Sequence, residues 1–110
     1  LYTVEGRAYG VPWQYGAVGF WYNKALFREA NIAAPPTTWG ELLAVVERLK
    51  AAGITPIALG GQEKWPGHFY WVYLAMREGG QEAFRRASSP EGSFADPAFL
   101  RAGERLQELI

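Results

Sequence analysis

The sequence predicts an α/β fold, and three observations predict it. Residues Tyr15–Tyr22 form an apolar, aromatic run in which Val18, Phe20 and Tyr22 alternate with Ala17, Gly19 and Trp21. That is the pattern and composition of a buried strand. Thr38-Trp39-Gly40-Glu41 has the spacing of a capping box that opens a helix. Ile54–Leu59 is a second apolar run directly after that helix. Strand, helix and strand in this order imply a right-handed crossover and a parallel sheet.

Taken in order, Leu1–Val4 reads as a short strand, Glu5-Gly6-Arg7 as a turn, and Ala8-Tyr9-Gly10 as its return. Gly10, Gly16 and Gly19 are unusual in the strand run that follows. Glycine there marks a bend, a bulge, or the close approach of a ligand or another backbone. Asn23 is suited to cap a short helix from Lys24 to about Ala30, and Asn31 to end it in the left-handed conformation. Pro35-Pro36 keeps Ala33–Thr37 out of any helix.

Behind the capping box, Trp39, Leu42, Leu43, Val46 and Leu49 recur at helical spacing and define one apolar face. Gly53 closes that helix. Pro56 belongs at the start or the edge of the second strand, because it cannot donate to a ladder. Gly60–Lys64 is then a loop at the carboxyl end of a strand, where open α/β sheets bind ligands. Trp65-Pro66 opens an apolar helix with Pro at or near its first position; Phe69, Val72, Tyr73 and Met76 form one face, which Trp71, Leu74 and Ala75 broaden. Gly79-Gly80 ends it, and Gln81–Ala87 is a further short helix with Phe84 inward. Asp96 caps the final helix, Pro97 is its first residue, and Phe99, Gly103, Leu106 and Ile110 form its inner stripe.

Composition excludes several functions. Eleven basic and eleven acidic residues give zero net charge, with no basic stripe for nucleic acid. Arg85-Arg86 is simply a solvated helix face. Cysteine is absent, which rules out disulfides and thiolate metal sites within these residues and fits an oxidising compartment. His68 is the only histidine, so no metal site is expected. Gly60-Gly61 lacks the lysine and hydroxyl of a phosphate loop, and no nucleophile elbow occurs. The many glutamates read as solvated helix faces. No cofactor is expected.

Aromatic residues are 15% of the chain, with five Trp. Trp65 stands between a glycine-rich loop and a helix start. A flat indole covers the C–H face of a sugar, and polar side chains take its hydroxyl rim. Glu63, Lys64 and His68 flank Trp65 as rim candidates. Packing of Trp65 on its own helix is the competing reading, and a solvated helical histidine is the competing reading of His68. Trp13, Gln14 and Tyr15 form a second candidate group, with core packing the alternative for the two rings. Burying Gln14 without a partner would cost about 1–3 kcal/mol, so it is exposed, paired or facing ligand.

A family resemblance runs through these segments. It is carried by Gly10-Val11-Pro12, Gly19-Phe20-Trp21-Tyr22-Asn23-Lys24, Pro35-Pro36-Thr37-Thr38-Trp39, Lys50–Gly61, Lys64-Trp65-Pro66 and Gly92–Phe99. In this order and spacing they resemble the extracellular solute-binding proteins of bacterial carbohydrate ABC importers, of the maltose-binding-protein type. The resemblance covers nearly the whole chain. It implies a periplasmic-binding-protein-like fold of type II, with residues 1–14 closing the first lobe and approaching the hinge, and residues 15–110 forming a partial second lobe. The chain starts at Leu1 and stops at Ile110 inside an expected helix, so it is read as an internal fragment.

The resemblance also implies function. The protein is expected to capture a mono- or oligosaccharide by hinge closure and to deliver it to membrane permease subunits, without chemistry on the ligand. Its place is the periplasm or the cell surface, with contact to the membrane only through the permease or a lipid anchor outside this segment. Family members stack sugar on an aromatic near Trp65, and Trp13, Gln14 and Tyr15 fall where the family chain crosses between lobes. Two other readings use the same residues: a carbohydrate-active hydrolase fragment using Glu63 and a second carboxylate, and a sensory sugar-binding module.

Overall fold

The structure is a computed structural model that describes residues 2–109. Leu1, expected in the first strand, and Ile110, expected on the last helix's inner stripe, lie outside the described residues. The chain begins with a hairpin of β1 (Thr3–Val4) and β2 (Arg7–Ala8), paired antiparallel with Val4 opposite Arg7. Glu5 and Gly6 link them with φ of 49° and 76°. Two central residues with positive φ make the tight turn whose twist matches a hairpin. Tyr9 N–H donates to the Tyr2 carbonyl at 2.7 Å and extends the pairing.

Among the described residues four α-helices follow: α1 (Lys24–Glu29), α2 (Trp39–Ala51), α3 (Gly67–Ala87) and α4 (Pro97–Gln107). Their ends lie close to where the local chemistry places them. Asn23 Oδ1 accepts from Ala25 N at 2.8 Å and caps α1. Asn31, at φ 54°, ends it: Asn31 N–H reaches the Arg28 carbonyl at 3.0 Å, and Ile32 N–H reaches that of Phe27 at 2.8 Å. This is the paired carbonyl capture of a Schellman stop, here with Asn instead of Gly. The same arrangement closes α2 at Gly53, φ 72°, through Gly53 to Lys50 and Ile54 to Leu49, both 2.9 Å.

The capping box of α2 is complete. Glu41 N–H donates to Thr38 Oγ1 at 3.2 Å, and Thr38 N–H donates to Glu41 Oε2 at 3.2 Å. Thr37 adds its own N–H to that oxygen at 2.7 Å and its hydroxyl at 2.9 Å. These donors, led by the Thr37 N–H, hold the Glu41 carboxyl below its ordinary value. On α4, Asp96 Oδ1 accepts from Ala98 N at 2.9 Å, with Pro97 as first helical residue. Pro66 stands one residue ahead of α3, at its N-cap, where the sequence also allowed the first helical position.

The core sits between α3 and α4. Leu74, Ala75, Ala83, Ala87, Phe99 and Ala102 are buried together, with Trp39, Trp71, Phe84 and Leu106 packed around them. Phe99 is its centre: Trp71 stacks on it at 5.5 Å, Phe84 meets it edge-on at 5.2 Å, and Phe94 leans in at 4.9 Å. Arg101 and Arg105 of α4 reach Glu78 of α3 at 3.0 and 3.6 Å. The buried face of α3 is therefore that of Trp71, Leu74 and Ala75. Tyr73 and Met76, expected inward, are exposed. Periodicity alone showed a helix apolar on most sides, and α4 decided which side closes.

Gly79 and Gly80 divide α3 as their sequence suggests. Gly80 has φ 64° and ψ −177°, so Gln81–Ala87 continues as a separate helical segment. At Gly79 a β-carbon would lie 2.7 Å from the β-carbons of both Ala83 and Ala98, and its absence lets the two helices approach.

The expected parallel sheet is not formed among the described residues. Tyr15–Tyr22 and Ile54–Leu59 carry no ladder, and no backbone–backbone hydrogen bond joins residues 10–22 to the rest. The reason is physical. A helix pairs its amides within itself, whereas a strand needs a neighbour alongside. The radius of gyration is 17.7 Å, against about 13 Å for a compact domain of this length, so the described residues are more extended than one closed core would be.

Candidate functional site

The site is built from the short stretch between the second apolar run and α3. Gly61 N–H donates back to the Leu59 carbonyl at 2.7 Å around Gly60, with φ −69° and ψ 63°. This inverse γ-turn ends the run. Gly61–Glu63 makes one turn of 3-10 helix, closed by Lys64 N–H on the Gly61 carbonyl at 3.0 Å. A second γ-turn follows at Lys64, with φ 61° and ψ −41° and Trp65 N–H on the Glu63 carbonyl at 2.7 Å. Pro66 then leads into α3.

Glu63, Lys64, Trp65 and His68 share this short stretch, and of their side chains the rings of Trp65 and His68 approach each other. Trp65 is 59% exposed. Its ring meets Phe69 edge-on at 5.5 Å and lies 6.2 Å from the His68 ring. His68 in turn packs on Phe69 at 4.1 Å, and its Nδ1 contacts the Trp65 carbonyl. Trp65 thus packs in part on its own helix and leaves much of its surface to solvent. Trp65 is therefore not a core residue, although its ring packs in part on its own helix. Phe69 was placed by the sequence on a buried face, and its role as support for Trp65 follows from their i, i+4 separation.

Trp13 and Tyr15 are almost fully exposed, at 98% and 93%, and Gln14 between them is exposed as well. No packing of these rings against the Trp65 cluster is observed. The nearest link is Phe20, which meets Tyr70 of α3 edge-on at 6.1 Å and brings the aromatic run to the first turns of that helix. Gln14 is exposed, one of the three placements expected of it.

Two grooves lie elsewhere. One, of about 110 Å³, is lined by Ile57, Leu59, Gly67, Tyr70, Leu106 and Leu109. Its walls are mostly apolar and offer a sugar rim few partners. The other, of about 460 Å³, runs along the Pro35-Pro36 link and α2. Its one carboxylate, Glu41, is already engaged in the capping box. Among the described residues no group of three or more His, Cys, Asp or Glu could hold a metal ion, and no helix is long and apolar enough to cross a membrane.

Comparison with known proteins agrees with the motif pattern. Residues 1–107 match the family described as bacterial extracellular solute-binding protein. An uncharacterised ABC transporter extracellular-binding protein of Pyrococcus horikoshii is 34% identical over 98 residues, which is 86% of this chain and 23% of that protein. A multiple sugar-binding protein of Streptococcus mutans is 41% identical over 64 residues, 58% of this chain and 15% of that protein. A protein of Mesorhizobium japonicum named a probable sugar-binding periplasmic protein is 31% identical over 109 residues, 96% of this chain and 26% of its own length. The chain therefore spans about a quarter or less of these relatives, at 23%, 15% and 26%. The family is one of non-enzymatic, extracytoplasmic binding proteins, and it implies the periplasmic-binding-protein fold. A match over residues 1–107, joined to motifs in the same order and spacing, places the chain within it: this chain belongs to the bacterial extracellular solute-binding protein family.

Proposed function

We propose that the chain is part of the sugar-binding component of an ABC importer, with residues 1–14 closing a first lobe and 15–110 supplying most of a second. The observation that carries this reading is the half-free Trp65 ring, braced by Phe69 and His68 and flanked by Glu63 and Lys64. An indole face takes the C–H face of a pyranose, and the polar neighbours take its hydroxyls. Trp13, Gln14 and Tyr15 supply further contacts from the interlobe crossing. The sugar-binding names of two relatives support the same ligand class.

The protein performs no reaction on its ligand. Contacts present only in the closed form shift an open–closed equilibrium, and the closed form is what the permease receives. Gly16 and Gly19, in the run between the lobes, absorb part of the rotation. The test is calorimetric titration of the full-length protein with glucose, galactose, xylose and their di- and trisaccharides, in parallel with small-angle scattering. Saturable binding of one of these, with a fall in radius of gyration, is the expected result. Binding of none, or turnover of a glycoside, would overturn the reading.

A further inference from the structure

We propose that Lys64 is a positioning residue for Trp65, acting through its main chain. The inference rests on the reading of Trp65 as the sugar-facing ring. Lys64 lies at φ 61° and ψ −41°, closed by the 2.7 Å bond from Trp65 N–H to the Glu63 carbonyl. A γ-turn with positive φ is rare and strained for a residue that carries a β-carbon. Such strain persists only where the surrounding structure over-determines it.

What holds it is visible on both sides. The 3-10 turn Gly61–Glu63 fixes the chain before Lys64. After it, Pro66 sits at φ −62°, and His68 N–H and Phe69 N–H already reach the carbonyls of Trp65 and Pro66 at 3.1 and 3.2 Å. Lys64 is the joint between two stiff pieces, and Trp65 is the first residue beyond it. A relaxed Lys64 would rotate the Trp65 Cα–Cβ bond away from Phe69, whose ring now lies 5.5 Å from the indole at 77°. The Lys64 side chain is exposed, so the effect belongs to the backbone and not to the charge. The gain is a platform ordered before ligand arrives, which lowers the entropy lost on binding.

The test is fluorine NMR of the full-length protein labelled with 5-fluorotryptophan, the Trp65 line being the one lost in Trp65→Phe. The wild type is expected to give one narrow Trp65 line. Lys64→Gly, which frees the joint, should broaden or split that line while Tm stays level or rises by about 2 °C. Lys64→Asn, which tolerates positive φ but keeps a side chain, should retain the narrow line. A Trp65 line unchanged in Lys64→Gly would overturn the positioning role, and a fall in Tm of that variant would overturn the strain. The underlying ligand reading fails separately, if Trp65→Ala leaves sugar affinity unchanged.

Discussion

The indole N–H of Trp39, the first residue of α2, donates to the carboxylate of Glu108 at 2.6 Å, just past the end of α4. Arg105 completes the junction: it lies 5.9 Å over the Trp39 ring and 3.2 Å from Glu108. The Trp39 N–H first, and Arg105 second, hold the Glu108 carboxyl below its ordinary value. A carboxyl depressed in the folded state contributes stability above its unfolded pKa, and this is lost as pH falls through the folded value. Thermal unfolding of the wild type should therefore weaken from near the ordinary carboxylate pKa of about 4.3 downward. Trp39→Phe, which removes the donor but keeps a ring, should lower Tm at pH 7 and flatten that acid slope. Equal acid slopes in the two proteins would show that the contact does not survive in solution.

The capping box offers a local test. Thr38→Ala removes the oxygen that receives Glu41 N–H and should cost about 0.5–2 kcal/mol. Thr38→Ser keeps that oxygen and should cost little. Urea unfolding of both variants reads the difference, and equal losses would mean that the methyl group and not the cap matters.

Three glycines in the α3–α4 pair should respond in three ways. Gly79→Ala places a methyl 2.7 Å from two β-carbons that cannot rotate away, so the helices must part, at a cost of about 1–3 kcal/mol. Gly80→Ala forces a β-carbon into φ 64° with ψ −177°, a region open essentially to glycine, and should cost about 1–3 kcal/mol. Gly103 of α4 has open space where a β-carbon would go, so Gly103→Ala should stabilise by about 0.5–1 kcal/mol. Denaturant midpoints for the set check the ordering, and a stabilising Gly79→Ala would contradict the observed helix approach.

Trp65→Ala in the full-length protein should weaken sugar affinity at least tenfold, about 1.4 kcal/mol. Its effect on folding should be small, because the ring is 59% exposed. A core tryptophan would behave in reverse, losing about 3–5 kcal/mol of stability with affinity intact. Thermal unfolding and sugar titration on one variant separate these outcomes.

On the proposed two-lobe reading the 110-residue chain by itself should bind sugar weakly or not at all, since a single lobe would have nothing to close against. Micromolar affinity of this chain alone, by calorimetry, would contradict the two-lobe reading.

What the sequence by itself determined are the features decided within a few residues. Asn23, Thr38 with Glu41, and Asp96 with Pro97 start their helices because a side-chain oxygen reaches an amide two or three residues on. Asn31 and Gly53 stop theirs because each occupies the left-handed conformation that a stop requires. Gly79-Gly80 divides α3 for the same kind of local reason. Trp65 with Glu63, Lys64 and His68 could be singled out because they are neighbours in the chain. Tertiary structure alone decided the rest. Tyr15–Tyr22 and Ile54–Leu59 carry a strand pattern without a ladder, since a strand's amides are satisfied only by a neighbour that no local pattern supplies. The side of α3 that is buried was set by Phe99 and the small residues of α4, and Tyr73 and Met76 were left outside. The positive φ of Lys64, a residue type with no local preference for it, was likewise not legible locally, and stiff segments stand on either side of it.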